Sequence, residues 1–341
     1  MGRIREIMQI QRRWLLFGMA VFFLCGCGRF SAKKEPISKS DFLLNTFVTI
    51  TIYDGGDSRL LEESLELCRE YEEKLSKTIE TSEIYKLNHR EEGSSFVEVS
   101  DSTADLIEKG LTYSRISSGA FDITIEPLSS LWDFTGNQRQ VPEASRIVSA
   151  SKRVDYQNVF VEGNQIYFNS PETSIDLGSI AKGYIADRVK EYLVDNGVKS
   201  AIIDLGGNVL CIGSRVDGTP FRIGLQMPFQ DRSETIAVLT IRDRSVVTSG
   251  VYERCFTEDG VNYHHLLNPK TGYPYQNGLL SVTIVSKESV DGDGLSTTCF
   301  SMGLEKGLEL INSMEGVYGY FITEDYQVHY SQGAADLLNQ E

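Results

Sequence analysis

Three polar, glycine-rich clusters in the second half of the chain carry the residues best suited to chemistry. The first is Ile175-Asp176-Leu-Gly178-Ser-Ile-Ala181-Lys182-Gly183-Tyr184. It reads as a strand ending in Asp176, a turn at Gly178 and a helix that begins at once. Free N–H groups at a helix start attract phosphate, and Lys182 in that first turn adds a full positive charge. A plain strand-to-helix turn with a solvent-facing Lys182 would use the same residues. The second is Thr248-Ser249-Gly250-Val-Tyr-Glu-Arg254, followed by His264-His265-Leu-Leu-Asn268-Pro269-Lys270-Thr271-Gly272-Tyr273-Pro274. Pro269 and Gly272 mark a turn, yet the run holds more hydrogen-bonding side chains than a turn requires. The plainer alternative is a well-capped surface loop with His264 exposed on an edge strand. The third is Asp291-Gly-Asp293-Gly-Leu-Ser-Thr297-Thr298. Spaced acids among glycines suit a hard cation held by oxygen. An EF-hand is excluded, because Met302 stands where the bidentate Glu belongs. If a helix starts at Asp293, Thr297 lies one turn on and faces the same way. Carboxylate and hydroxyl could then share one Mg²⁺, with waters and a substrate phosphate completing the shell. Otherwise Asp293 is an N-cap.

Other familiar chemistry is missing. No Gly-x-Gly-x-x-Gly follows a strand, and no Walker A, Gly-x-Ser-x-Gly or His-Glu-x-x-His sequence exists. The four histidines, His89, His264, His265 and His329, are too few for a multi-histidine metal centre. Beyond the first 30 residues, Cys68, Cys211, Cys255 and Cys299 form no Cys-x-x-Cys pair, and three of them sit in apolar runs. They are expected to be free thiols in the core.

The elements that must position these clusters follow from periodicity. A strand is expected at 47–53, then a helix over 58–77 with Leu61, Leu65, Cys68 and Leu75 on its apolar face. A helix is expected at 101–117 with Ser100 as N-cap, and a hairpin at 158–169 turning at Gly163-Asn164. A helix from 179 to 196 should end at Gly197 in the C′ position. Strands follow at 200–205, 208–212, 221–226, 235–241 and 279–286, then helical patterns at 294–314 and strands at 317–323 and 327–331. Strands and helices without regular βαβ alternation predict an α+β fold.

The chain has 341 residues, 41% of them hydrophobic, and a formal charge of −15. Such acidity argues against a nucleic-acid binder, which works by neutralising phosphates. The charge is uneven. Residues 1–26 carry Arg3, Arg5, Arg12 and Arg13 against Glu6 alone, then the apolar run Trp14–Leu24. That run matches a secretory signal and falls short of the roughly 20 residues of a membrane span. Leu24-Cys25-Gly26-Cys27 resembles the bacterial lipobox, which implies cleavage before Cys27 and acylation of its thiol. A plain signal peptide or an uncleaved anchor is the alternative. The expected organisation is a signal peptide at 1–26, a lipidated Cys27 and tether at 27–40, and one domain at 41–341. The expected location is the extracytoplasmic face of a bacterial cell membrane, held there by the lipid.

Taken together, the clusters resemble the ApbE family, the FAD:protein FMN transferases. The resemblance runs in order through Ser118-Gly-Ala-Phe-Asp-Ile-Thr-Ile-Glu-Pro-Leu128, Leu131-Trp-Asp-Phe134, Asp176–Tyr184, Asp204-Leu-Gly-Gly-Asn208, Thr248–Arg254, His264–Pro274 and Asp293–Thr297. It implies a single α+β, T-fold-related domain around a flavin-nucleotide cleft, with Mg²⁺ bridging the protein and the pyrophosphate of FAD. Matching positions make Asp293 and Thr297 side-chain ligands of the metal and the Ala181 carbonyl a third. Lys182 and Asp176 would line the pyrophosphate and adenosine side, and His265 would sit beside the reacting phosphate. Ser249 and the Asp204–Asn208 loop would shape the pocket, with Thr46 at an early flavin contact. Three departures stand out: Leu44-Asn45-Thr46 where the family often has Met-Gly-Thr, Ser179 for a usual Gly, and Asn268 for a frequent Asp. The implied reaction moves FMN from FAD to a Thr or Ser hydroxyl of an acceptor protein and releases AMP, with His265, Lys182 and Asp293 as catalytic groups. Hydrolysis of FAD to FMN and AMP, or FAD carriage without chemistry, are the alternatives. Implied acceptors are flavin-carrying subunits of sodium- or proton-linked electron-transfer complexes, or extracellular flavoproteins.

Overall fold

The computed structural model describes residues 35–339, apart from 92, 135, 137, 138 and 232. The leader and Cys27 lie outside the described residues. In chain order, β1 (Ile37–Leu43) and β2 (Thr46–Ile52) form a hairpin and precede α1 (Ser58–Leu75) and α2 (Glu83–Asn88). Then come β3 (Val97–Glu98), α3 (Asp101–Ile116), α4 (Glu126–Trp132) and α5 (Ala144–Ser151). The hairpin β4 (Val159–Glu162) and β5 (Gln165–Phe168) leads to α6 (Ala181–Asp195), followed by β6 (Ser200–Leu205) and β7 (Asn208–Gly213). Next are β8 (Phe221–Gln226), β9 (Thr235–Ile241), β10 (Ser245–Gly250), β11 (Cys255–Glu258) and β12 (Val261–His264). The chain finishes with β13 (Leu279–Ser286), α7 (Ser289–Met302), α8 (Leu304–Asn312), β14 (Tyr318–Thr323) and β15 (Val328–Tyr330).

Eight strands form one sheet in the order β1-β2-β6-β7-β10-β13-β14-β15, and every neighbouring pair is antiparallel. Helices α1, α6 and α7 cover one face. The ribbon of β8 and β9 covers part of the other, where Phe221, Leu225, Leu239 and Ile241 pack with Val246, Val285 and Tyr320. All eight residues of β13 are consequently buried, which explains its unbroken apolar run: a strand covered on both faces loses the alternation of a half-exposed one. This is the α+β architecture that the lack of βαβ alternation predicts.

The helix expected at 294–314 is two helices broken at Gly303, whose φ of +85° no helical residue adopts. Helix α7 starts at Ser289, four residues before the start considered above, because Asp187 of α6 accepts the N–H groups of Ser289 (2.7 Å) and Val290 (2.9 Å). Asp293 therefore lies inside the helix and is not its N-cap. Residues before Asp176 are extended but join no ladder. Asn88 brackets Ile175 through both backbone groups (2.7 and 2.8 Å), and Asp176 N–H donates to Ile123 O (2.8 Å). Residues 37–40, expected in the tether, form the start of β1; as an edge strand with a polar outer face, it has little apolar signal. Ser100 precedes α3 as expected, but its hydroxyl donates to Glu83 (2.9 Å) and caps no helix N–H. Cys68, Cys211 and Cys299 are buried free thiols, and Cys255 is half-buried and free.

Helices α6 and α7 touch backbone to backbone at Gly183. A Cβ there would lie 2.3 Å from Ser289 O and 2.7 Å from Val290 Cα. Neither atom belongs to a side chain that could swing away, so Gly183→Ala must pry the helices apart. The substitution is expected to cost about 1–3 kcal/mol, read as a lower denaturant midpoint with an unchanged slope. A loss below about 0.5 kcal/mol, the scale of an ordinary surface change, would contradict this packing.

Candidate active site

The start of α6 and the second turn of α7 meet above β10. Alternate residues of β10 face the helix: Ser245 Oγ bonds Ser289 Oγ (2.8 Å), a Cβ on Gly292 would meet Val247, and Ser249 Oγ lies 2.9 Å from Ser296 Oγ and 3.0 Å from Thr297 Oγ1. Asp293 is 5% exposed and accepts the Gly183 N–H through Oδ2. Ala181, two residues earlier, opens α6, and Thr297 follows Asp293 by one turn. Carboxylate and hydroxyl thus lie one turn apart on α7, with the carboxylate against the start of α6.

Three groups adjust the charge of Asp293. Burial pushes its carboxyl above the usual range, outweighing Lys182, the Gly183 N–H and Asn208, which favour the anion. Asn208 Oδ1 is fixed by Ser289 Oγ (2.8 Å), which leaves its Nδ2 to face Asp293. Lys182 Nζ reaches Gly206 O at 3.5 Å. Gly206 belongs to the turn that Asp204 organises by accepting the N–H groups of Gly206 (2.9 Å) and Gly207 (3.4 Å). At Gly206 φ is +69°, and a Cβ would fall 1.9 Å from Thr46 Oγ1. Glycine is therefore required there, and Thr46 is placed against the turn.

His265 is tied to Arg254 O through its own N–H (3.1 Å), and its Nδ1 is buried without a partner. Burial first, then the charges of Arg254, His264 and Lys182, pushes its pKa down to about 3. The ring is neutral at physiological pH. His264 is not exposed on an edge: it is 5% accessible, its Nε2 lies 2.9 Å from Tyr275 O, and burial lowers its pKa to about 4. Asp176 stands apart from this group. Its carboxylate takes Lys77 (2.9 Å), Ser129 (2.7 Å) and the Gly178 N–H (2.9 Å). Although burial opposes ionisation, Lys77 and these donors hold its pKa below the usual carboxylate value. Among the described residues no hydrogen bond or ion pair joins Asp176 to Lys182 or Asp293.

The oxygens of Asp293, Thr297 and Ala181 suit a hard cation, and the described residues contain no group of three or more His, Cys, Asp or Glu that could hold a metal. One carboxylate is enough for Mg²⁺ only when substrate phosphates complete its shell. The buried, unpartnered His265 Nδ1 agrees with a site whose polar groups are completed by a ligand.

A family model described as the ApbE family matches residues 44–321. The chain belongs to the ApbE family. It is 36% identical over 293 residues to an FAD:protein FMN transferase of Klebsiella pneumoniae, with 85% of this chain and 90% of that protein covered. It is 32% identical over 341 residues to another of that name from Treponema pallidum, covering 94% of each. Its fold is similar to the crystal structure of an ApbE protein from Thermotoga maritima (TM-score 0.82, 32% identity, covering 89% of this chain and 100% of that one). It also resembles the flavin transferase ApbE of Vibrio cholerae (TM-score 0.81, 27% identity, covering 89% and 99%).

Within this ApbE domain, several positioning residues escape sequence reasoning. Lys77, Ser129 and Asn88 hold the Asp176 segment from distant elements. Trp132 Nε1 donates to Gly272 O (2.8 Å) and so ties the Trp-containing block to the histidine loop. Asp187 is the one that left a trace: an acid between Ala186 and Val189 on the buried side of α6 needs a buried partner, and the start of α7 is that partner.

Burial pushes Asp187 up to about 7, against the two N–H groups it accepts. A raised carboxyl binds more protons folded than unfolded, so its contribution to stability is full below the unfolded pKa and lost as pH rises through 7. His264 and His265 act oppositely: depressed folded pKa values give stability that is lost as pH falls from about 6.5 through 4 and 3. Between pH 6.5 and 8, Asp187 therefore contributes a falling stability of its own. Its share of the unfolding free energy should fall by about 1 kcal/mol across that window, and Asp187→Asn should make the pH profile flatter by that amount. A slope unchanged by the substitution would exclude Asp187 as its source.

Proposed function

We propose that this chain transfers FMN from FAD to a Thr or Ser hydroxyl of an acceptor protein. The acceptor oxygen bonds to the phosphorus that carries riboflavin, the pyrophosphate P–O bond on that side breaks, and AMP leaves with the bridging oxygen. The reading rests on Asp293, Thr297 and Lys182 gathered where α6 meets α7, with a buried, neutral His265 close enough to Lys182 to feel its charge. Mg²⁺, held by Asp293, Thr297 and the Ala181 carbonyl, would supply charge stabilisation on the phosphoryl oxygens. Lys182 adds a positive charge that needs no rearrangement as negative charge builds on the leaving phosphate. His265 can accept the proton of the acceptor hydroxyl, because its lone pair is free at neutral pH. The anionic pyrophosphate beside it would raise its basicity from the depressed starting value. Ser249 orients the Thr297 hydroxyl, and the Asp204–Asn208 turn with Thr46 forms the wall beside Lys182.

Residues 1–27 support the placement of this activity outside the cytoplasm on a lipid anchor at Cys27, where acceptors are exported or membrane-embedded electron-transfer subunits. Cys27→Ser should move the protein from the membrane fraction to the soluble one. Retention of the variant in the membrane would reject the anchor.

The decisive assay incubates the protein with FAD, Mg²⁺ and an acceptor domain bearing a flavinylation-type Thr, reading flavin fluorescence on the denatured acceptor and AMP in solution. Both should appear together. FMN and AMP without labelled acceptor would mean hydrolysis, and intact FAD would mean carriage. Asp293→Ala should lower transfer by at least about 100-fold, the scale of losing one group that stabilises transition-state charge, with a much smaller loss of FAD binding. Transfer near the wild-type rate would refute the role of Asp293.

A further inference from the structure

Ser289, Asp293 and Thr297 follow one another at i, i+4 and i+8 on α7 and share one face. Each is met by a polar side chain from the eight-stranded sheet. Ser245 of β10 donates to Ser289 Oγ (2.8 Å), Asn208 of β7 faces Asp293, and Ser249 of β10 lies 3.0 Å from Thr297 Oγ1. Asn208 engages two of the three. Its Oδ1 accepts the Ser289 hydroxyl (2.8 Å), so one amide spans a helical turn, with its oxygen on Ser289 and its Nδ2 toward Asp293. Ser245, Ser289 and Asn208 are fully buried and Asp293 is nearly so, which keeps water from competing for these contacts. The sense of the chain follows from its hydrogens, because a hydroxyl has only one to give. Ser245 gives its own to Ser289, and Ser289 gives its own to Asn208 Oδ1. Turning the amide over would set its oxygen against the Asp293 carboxylate, acceptor against acceptor. From the other side, Asp293 Oδ2 accepts the Gly183 N–H of α6.

We infer that Asn208, locked by Ser289 and Ser245, pins the Asp293 carboxylate and so sets the site's preference for Mg²⁺ over Ca²⁺. An ionised carboxylate has about four lone-pair positions, and the Gly183 N–H and the Asn208 amide occupy two of them. What remains suits a cation met at one oxygen better than a cation clasped by both. Mg²⁺ demands near-ideal octahedral geometry, whereas Ca²⁺ accepts a larger, looser shell and takes carboxylates through one oxygen or both. Released from Asn208, Asp293 can rotate to offer both oxygens, and the discrimination against Ca²⁺ falls. The inference rests on the metal role proposed above for Asp293. It adds Asn208 as a positioning residue, whose buried side chain acts on a cation only through Asp293.

The test reads Mn²⁺ bound to the full chain by electron paramagnetic resonance, with FAD present and no acceptor, over the period before AMP appears. Mg²⁺ and Ca²⁺ are titrated in turn to displace it, and Mn²⁺ that Asp293→Ala still retains is subtracted as surface binding. The variants are Asn208→Leu, which keeps the volume and removes the amide, Ser289→Ala, which frees Oδ1, and Ser245→Ala at the far end. Thermal midpoint and metal-free FAD affinity report folding. Wild type should prefer Mg²⁺. Asn208→Leu should lower the ratio of Mg²⁺ to Ca²⁺ affinity by about tenfold or more, the scale on which partners behind a metal ligand act. Ser289→Ala and then Ser245→Ala should show smaller losses in the same direction. Structural damage alone would weaken both cations in proportion. A proportional loss, a ratio unchanged in Asn208→Leu and Ser289→Ala, or a wild type without Mg²⁺ preference would overturn the inference; where Asn208→Leu does not fold, Ser289→Ala alone decides. Mn²⁺ bound no better by wild type than by Asp293→Ala would overturn the metal role of Asp293 and this inference with it, a failure distinct from an unchanged ratio at a working site.

Discussion

The contact on which the rest of the site depends is the one between the start of α6 and the first turns of α7. Gly183 lets the two backbones approach, Asp187 supplies the carboxylate that the start of α7 needs, and Asp293 returns the interaction by accepting the Gly183 N–H. Each helix thus satisfies orphan N–H groups of the other. The arrangement fixes the rotation of α7 about its axis, and that rotation sets Asp293 and Thr297 on the side where Lys182 and Ser249 lie. A shift of one residue in α7 would turn this face by about 100° and take both side chains out of the site.

The same contact explains how an acidic protein can take an anionic nucleotide. The −15 net charge acts over the surface, where salt screens it within about 8–10 Å. Lys182, and a cation held at the Asp293 oxygens, would act at contact distance in a region of low dielectric, where each interaction is many times stronger. Net charge therefore separates phosphate-coating nucleic-acid binders from this chain, but carries no information about a site for a single pyrophosphate.

Much of the architecture was legible because periodicity and punctuation agree. The hairpin at 158–169 turns at Gly163-Asn164 and α6 ends before Gly197, both with the left-handed glycine that the sequence signals. What escaped shares a physical cause: the signal resides in a partner far along the chain. The 289 start of α7 is set by Asp187, the extended segment before Asp176 is held by Asn88 from 87 residues away, and β1 is a polar edge strand defined by β2. Within the site, residue types and order brought together Asp293, Thr297, Ala181 and Lys182, with Ser249, Asp204 and Thr46 around them. The environment of His264 could not be read in the same way, because burial depends on how Tyr275 and the loop fold over it.

The position of Asp293 also changes what the start of α6 does. Read alone, a helix start followed by Lys182 is an anion site that holds phosphate through its own N–H groups. In the folded chain the Gly183 N–H is taken by a carboxylate, so that donor is withdrawn from any phosphate. What it gains is an orienting contact on a buried acid that burial otherwise discourages from ionising. A cation beside Asp293 would favour its ionised form, and the pyrophosphate would then be held through that cation and through Lys182, with less from the helix itself. Such an arrangement makes phosphate and metal affinity interdependent, because neither partner alone offers the other a full set of ligands.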